Sequence, residues 1–277
     1  QLLVDACTGA TLRTGHQVTS VSHGQDAATV RYDGPDGPGT ATAELVVAAD
    51  GVHRRLRVTL FPDHPGPTYA HLGDRAGHPH RGASSWVAGR GRRFGIAPLA
   101  DGQVYWYATA SLPSGSHAED GLANLAAAYR GWHAPIPQVL AATPPQALLR
   151  HDIYHLRTPL HRFVAGQVAL LGDAAHALTP DLGQGACLAL EDAVTLAVAI
   201  GGQADLAAAL AAYDQARRPR TQRLVRASST AGRIAQWRNP LAVGLRDSLA
   251  RLLPPSAYLR SMTDTLGWTP PAQVVDR

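Results

Sequence analysis

Between Leu171 and Asp192 the chain sets carboxylates, an imidazole, a proline and three glycines at short intervals: Gly172-Asp173-Ala-Ala-His176, Pro180, Gly183-Gln184-Gly185-Ala186 and Glu191-Asp192. A carboxylate at the end of a buried strand can accept both hydroxyl protons of a ribose or ribityl chain. In open α/β sheets, ligands sit just beyond such strand ends. Glycines at the start of a helix let a flat ligand approach the backbone. The helix N-terminus adds unpaired N–H groups and a partial positive charge. The chemistry implied is the holding of a flat, sugar-linked ligand that carries negative charge. Gly-Asp alone is a common turn; the combination carries the specificity. Glu191 and Asp192 are helix neighbours that do not face each other, and they read as packing and hydrogen-bonding residues. His176, alone of thirteen histidines inside a motif, reads as structural rather than as a catalytic base. No Cys-x2-Cys spacing supports a metal site.

A second constellation lies upstream, Leu45-Val-Val-Ala-Ala-Asp50-Gly51-Val-His-Arg-Arg-Leu-Arg57. Here an apolar strand ends in an Asp-Gly turn and a basic helix start. A third runs from Gly89-Arg-Gly91-Arg-Arg-Phe-Gly95 to Tyr105-Trp-Tyr107. Its glycines are not a dinucleotide fingerprint, because the spacing is wrong and a strand follows. Ala100-Asp-Gly102 fits a three-residue hairpin loop. Leu99 then faces Gln103, Ala97 faces Tyr105 and Arg93 faces Thr109. Phe94, Ile96, Val104 and Trp106 share a core face, and Arg93, Tyr105 and Tyr107 share the other; a one-residue slip would exchange Arg93 for Arg92.

The elements that must position these residues follow from the apolar pattern. Strands are predicted over Thr11–Val21, Ala27–Tyr32 and Glu44–Ala49, with a turn-rich loop at Asp33–Gly39. Trp86-Val87, Arg93–Leu99 and Gln103–Thr109 read as antiparallel strands, and Gly121–Trp132 as a helix. Gln167–Leu171 is a short buried strand, and Gly183–Ile200, apolar on nearly every side, a buried helix. Leu206–Val225 is a helix that Pro219 should break or kink. The remainder is helical, with breaks at Pro240, Pro254 and Pro255.

The 277 residues suit one large or two closely joined units. The net charge is +4, with arginine in place of lysine throughout. The arginine-rich stretch Arg217–Arg226 reads as a solvated helix face rather than a nucleic-acid surface. No uncharged apolar run is long enough for an integral membrane segment, and the first residues lack the basic start of a signal peptide. Cys7 and Cys187 are too isolated for a disulfide framework, so a reducing, cytoplasmic setting is expected.

The segment from Gly172 to Ala193 closely resembles the second FAD-binding motif of the class A flavoprotein monooxygenases, the family of para-hydroxybenzoate hydroxylase. The Asp50-Gly51 segment is similar to that family's Asp-Gly motif near the pyrophosphate and the nicotinamide cofactor, although Arg54 stands where the family often has serine. The hairpin resembles the branch containing FAD-dependent urate hydroxylase and zeaxanthin epoxidase. The resemblance implies a mixed α/β and α+β fold: a partial Rossmann-like FAD-binding domain over residues 1–65 and 166–230, a substrate-binding antiparallel sheet over 66–165, and a helical segment over 231–277. It implies FAD contacts at Asp50, Gly51, Gly172, Asp173, Pro180, Gly183, Gln184, Gly185 and Ala186. Substrate contact and proton transfer fall to Arg93 and Tyr105. The implied activity is NAD(P)H-dependent hydroxylation or epoxidation of a small aromatic or conjugated substrate by O2, through a flavin hydroperoxide.

The family's opening strand, Gly-x-Gly-x-x-Gly loop and helix are not found here. The expectation is therefore a chain that holds FAD weakly or not at all by itself, working with a missing N-terminal half or as a homodimer. The alternatives are an inactive or split-gene piece, and a related flavin-dependent reductase or halogenase. The latter's Trp-x-Trp-x-Ile segment is not found.

Overall fold

The computed structural model describes residues 2–24, 26–53, 55–77, 85–88, 91–111, 113 and 121–271. Arg54, Gly89 and Arg90, singled out in the sequence, lie outside them. The first elements are α1 (Leu2–Ala6), β1 (Gln17–His23), β2 (Ala28–Gly34), β3 (Gly37–Ala43), β4 (Val46–Ala48) and α2 (Arg55–Leu60). A second group follows: β5 (Thr68–Gly77), β6 (Ser85–Ala88), β7 (Arg92–Pro98), β8 (Val104–Ala110), α3 (Gly121–Tyr129), α4 (Ile136–Ala141) and β9 (Leu149–His155). The chain then forms β10 (Val164–Ala165), β11 (Val168–Leu170), α5 (Asp173–His176), α6 (Gly185–Gly202), α7 (Leu206–Ala235), α8 (Pro240–Leu252) and α9 (Pro255–Leu266).

The fold is mixed, with one parallel strand pair among the antiparallel ones of the described residues. β1, β2 and β3 form an antiparallel sheet; β10, β11 and β4 form a second, in which β11 runs parallel to β4. The third has the order β6-β7-β8-β5-β9 and is antiparallel throughout. One core gathers Val21, Ala48, Phe61, Val168, Leu170, Leu196 and Tyr213 around the parallel pair. The other packs Phe94, Ile96, Val104 and Trp106 of the β7–β8 hairpin against Leu125, Tyr129, Ile136 and Leu140 of α3 and α4. The hairpin has the register read from its turn: Arg93 opposite Thr109, Ala97 opposite Tyr105.

Several expectations are corrected. The loop at Asp33–Gly39 shrinks to the Pro35-Asp36 turn, since Gly34 already pairs with Gly37. Gly39 is a strand residue because the Tyr32 ring lies across it, 2.6 Å from where a Cβ would stand. β5 and β9 escaped notice because their sequences, TYAHLGDRAG and LRHDIYH, hold too few apolar positions to alternate. α6 is not buried all round. It buries Glu191, Asp192 and Thr195 inward and leaves Leu190 and Ile200 exposed. It is also the one helix among the described residues with the length and hydropathy to cross a membrane. Pro219 does not end α7, which continues to Ala235. Buried residues from Ala209 to Gly232 hold that helix along one line on both sides of the proline, which offsets the single backbone bond lost there. Pro240 and Pro255 begin helices, at the position where a missing N–H costs nothing.

Candidate functional site

The parallel pair decides where the motifs meet. Val46, Val47 and Ala48 lie beside Val168, Ala169 and Leu170, and Leu171 N donates to Ala48 O at 3.1 Å. Both strands therefore end at the same edge, and Asp50-Gly51 and Gly172-Asp173 follow side by side. Arg57 of α2 ties the two turns together. It is buried and donates from Nη1 to Ala174 O at 3.0 Å and from Nη2 to Val52 O. Burial lowers the pKa of its guanidinium, and the charge of Asp50 works against that.

Gly172 has φ +57°, and a Cβ there would lie 3.1 Å from Ala189 Cβ. Its N–H donates to Asp192 Oδ2 at 2.9 Å. It is buried and shapes the turn, whereas Asp173, the first residue of α5, is exposed. Pro180 opens a single 3-10 turn, Pro180–Leu182, that ends at Gly183 in the left-handed region with φ +64°. Gln184 is buried as the N-cap of α6, Gly185 begins the helix, and Ala186 is exposed. No atom lies within 4 Å of a Cβ built on Gly183 or on Gly51. Exposed Asp173 and Gly183, with the N-terminus of an 18-residue helix, make an accessible backbone cradle that fits the flavin and ribityl part of FAD.

Behind this cradle stands a buried ionic network. Asp192 accepts from Gly172 N, from His176 Nε2 at 2.6 Å and from Arg217 Nε at 2.7 Å. Glu191 takes Arg217 Nη1 at 2.7 Å and both Arg220 Nε and Nη2 at 2.8 Å. Neighbours that do not face each other thus converge on one arginine. Burial alone would raise both carboxyl pKa values. For Glu191 the bonds from Arg220 and Arg217 prevail and pull it below the ordinary range. His176, the Gly172 N–H and Arg217 do the same for Asp192. The solvated-face reading of Arg217–Arg226 fails at Arg217, which is 1% exposed. Its partners come from a different helix, which a charge count along one segment does not reveal.

Arg93 is buried too. It pairs with Asp181 of the Pro180–Leu182 turn, and its Nε donates to Thr109 Oγ1 at 3.4 Å. Tyr105 is half-buried on the same sheet face, four residues further along the ladder, or about 13 Å from Arg93. The Tyr107 ring lies across Gly95 between them, where a Cβ would collide with it. The structure thus joins Arg93 to the cradle segment through Asp181, while Tyr105 stands further along the sheet. Next to Asp181 opens a cavity of about 650 Å3, whose lining includes Tyr69, His155, Thr179, Asp181, Arg233 and Trp237. His155 is 7% exposed and its Nδ1 has no hydrogen-bond partner among the described residues. Burial, then nearby Arg157, push its pKa below the usual imidazole value, while Asp181 acts the other way. Tyr154 links this wall to the Asp50-Gly51 turn: its ring lies 5.5 Å from that of Tyr69 and 4.3 Å from that of His53.

Sequence reasoning missed Asp181, Gly232 and His155. Gly232 lets the Asp181 carboxylate press against α7, where any side chain would collide with it. A carboxylate just after the motif proline was the available signal for Asp181; its partner, on a distant strand, gave none.

A model of the FAD binding domain family matches residues 1–228. The aurachin C monooxygenase/isomerase of Stigmatella aurantiaca is 40% identical over 235 residues, which cover 80% of this chain and 61% of that protein. The FAD-dependent urate hydroxylase of Klebsiella pneumoniae is 37% identical over 221 residues, 76% of this chain and 56% of that protein. The chain therefore spans less than two thirds of these relatives' length. The crystal structure of Klebsiella pneumoniae HpxO complexed with FAD and uric acid superposes with a TM-score of 0.83 at 31% identity, covering 91% of this chain and 66% of that one.

Proposed function

Since this chain belongs to the family built on that FAD binding domain, we propose that it supplies the flavin and substrate sides of an FAD- and NAD(P)H-dependent monooxygenase. The observation that carries the reading is the shared segment Thr179–Asp181: it leads into the Gly183–Ala186 cradle and also walls the cavity. A cavity of this size suits a small aromatic molecule.

Asp173 would hold the ribityl or ribose hydroxyls. Gly183, Gln184, Gly185 and Ala186 would turn backbone N–H groups to the flavin ring, with Pro180 at its edge and Gly172 shaping the turn behind. Asp50 and Gly51 would lie toward the pyrophosphate and the nicotinamide. When bound, FAD reduced by NAD(P)H supplies the activation of O2 and the transfer of one oxygen atom. Arg93, held by Asp181, would orient the substrate and stabilise charge as its proton leaves, and Tyr105 would act further along the sheet. Residues 1–65 and 166–230 would form the FAD-binding unit around the substrate sheet of 66–165, a division supported by the two separate cores. The helical segment of 231–277 would follow the end of α7. The ADP half of FAD would be completed by a Gly-x-Gly-x-x-Gly segment, in the same polypeptide or another one. Free Cys7 and Cys187, both exposed, suit a reducing cytoplasm.

The relatives make nitrogen heteroaromatics such as urate the first compounds to assay. The test is substrate-stimulated NAD(P)H oxidation by the FAD-supplemented chain, with and without an added dinucleotide-binding segment. Product carrying one atom from isotopically labelled O2 supports the reading. A panel of aromatic acids, phenols and heteroaromatics that stimulates no oxidation under either condition overturns it.

A further inference from the structure

Helix α8 buries none of its residues. Its leucines Leu241, Leu245, Leu249 and Leu252 are 85, 58, 54 and 79% exposed. At 3.6 residues per turn they fall within an arc of about 80°, with exposed Arg251 on one flank. Leu253, Leu259 and Leu266 carry the apolar surface on through α9. α8 and α9 carry Arg246, Arg251 and Arg260 against Asp247 and Asp264, and Arg226, Arg233 and Arg238 just before them bring the stretch from Arg226 to Trp268 to a net +4. The two helices are anchored on their other sides. Arg246 Nη1 donates to Ala235 O at 3.0 Å, Arg220 Nη2 donates to Thr265 O at 3.1 Å, and the Arg217 guanidinium lies 5.9 Å from the Trp268 ring centre.

We propose that α8 and α9 dock this protein on an anionic lipid surface, leucines in the interface and Arg251 beside them among the headgroups. An amphipathic helix of this composition lies in the plane of the boundary between headgroups and acyl chains, where apolar burial and attraction to anionic lipid add together. Charge decides between this occupant and a second copy of the chain, because pairing two such stretches would oppose like charges. Arg233, Gln236 and Trp237 line the cavity and stand directly before α8. Docking therefore brings that end of the cavity toward the lipid, where an apolar substrate would be concentrated. The docking itself does not depend on the oxygenation reading.

Sedimentation of the chain with vesicles of phosphatidylglycerol and phosphatidylcholine in equal parts, against phosphatidylcholine alone, reads it directly. Binding to the anionic vesicles is expected, and added salt should weaken it. Arg251→Gln should weaken it about fivefold. Leu245→Asp with Leu249→Asp should abolish it and leave the melting temperature unchanged, since both positions are exposed and outside either core. The salt response and Arg251→Gln test docking even where the leucine variant fails to fold. Absence of binding to the anionic vesicles, equal binding to both compositions, or binding that a folded leucine variant retains overturns the proposal. So does a lipid-free dimer that the leucine substitutions dissolve, which would make a second copy the occupant.

Discussion

Arg93 and Arg217 are 2% and 1% exposed, yet they sit in opposite kinds of surroundings. Arg217 lies between two helices, where Glu191 and Asp192 both take it and are themselves held by His176, the Gly172 N–H and Arg220. Arg93 pairs with Asp181, and that carboxylate lines an open cavity. A buried cation walled in by protein depends wholly on its partners, whereas one whose carboxylate lines a cavity has room for water or a ligand next to that partner. The first arrangement fixes the cradle segment onto α6 and α7. The second leaves an ion pair that a bound molecule can meet.

That contrast can be broken by substitution. The largest effect is expected from Asp192→Ala, which strips partners from Arg217, His176 and Gly172 together. It should cost about 3–5 kcal/mol, seen in thermal unfolding as a fall of roughly 10 °C in Tm. Asp181→Ala removes an equally buried carboxylate, but water from the cavity can solvate Arg93. A loss of about 2–3 kcal/mol is expected, and a loss as large as that of Asp192→Ala would erase the distinction between the two sites. Glu191→Gln keeps an acceptor for Arg220 and leaves Asp192 on Arg217, so denaturant titration should show a loss of only about 1 kcal/mol.

The subtlest response is to pH. Glu191 and Asp192 have folded pKa values below the ordinary carboxylate range. Their contribution to stability is therefore complete above the unfolded values and is lost as pH falls through the depressed folded ones. Tm should owe no change to them between pH 6 and 8, and should decline below about pH 4. This acid limb should be shallower in Glu191→Gln. An acid limb identical in the variant and the parent would show that the pair does not act as described.

The places of several motif residues were legible in the sequence: Asp173 after a strand end and Gly183 to Ala186 at a helix start stand where expected, with Asp173, Gly183 and Ala186 exposed and Gln184 buried. The β7–β8 register followed from Ala100-Asp-Gly102, because a hairpin loop fixes which residues face each other. What failed were inferences drawn from composition along one segment. α6 looked buried because it is apolar, yet its charged residues point inward. Pro219 was expected to break or kink its helix, which runs unbroken to Ala235, and Arg217 looked like a surface charge.

The sequence by itself determined the motifs, the local turns and the alternation that sends Phe94, Ile96, Val104 and Trp106 to one face. Those depend on neighbours within a few residues or across a single tight hairpin. Only the tertiary structure decided that Asp181 meets Arg93, that Arg57 joins the two strand-end turns, and that Glu191 and Asp192 share Arg217. The physical reason is that a buried charge must find its counter-charge wherever the packed elements bring one, and that partner carries no mark of the pairing in its own stretch of chain.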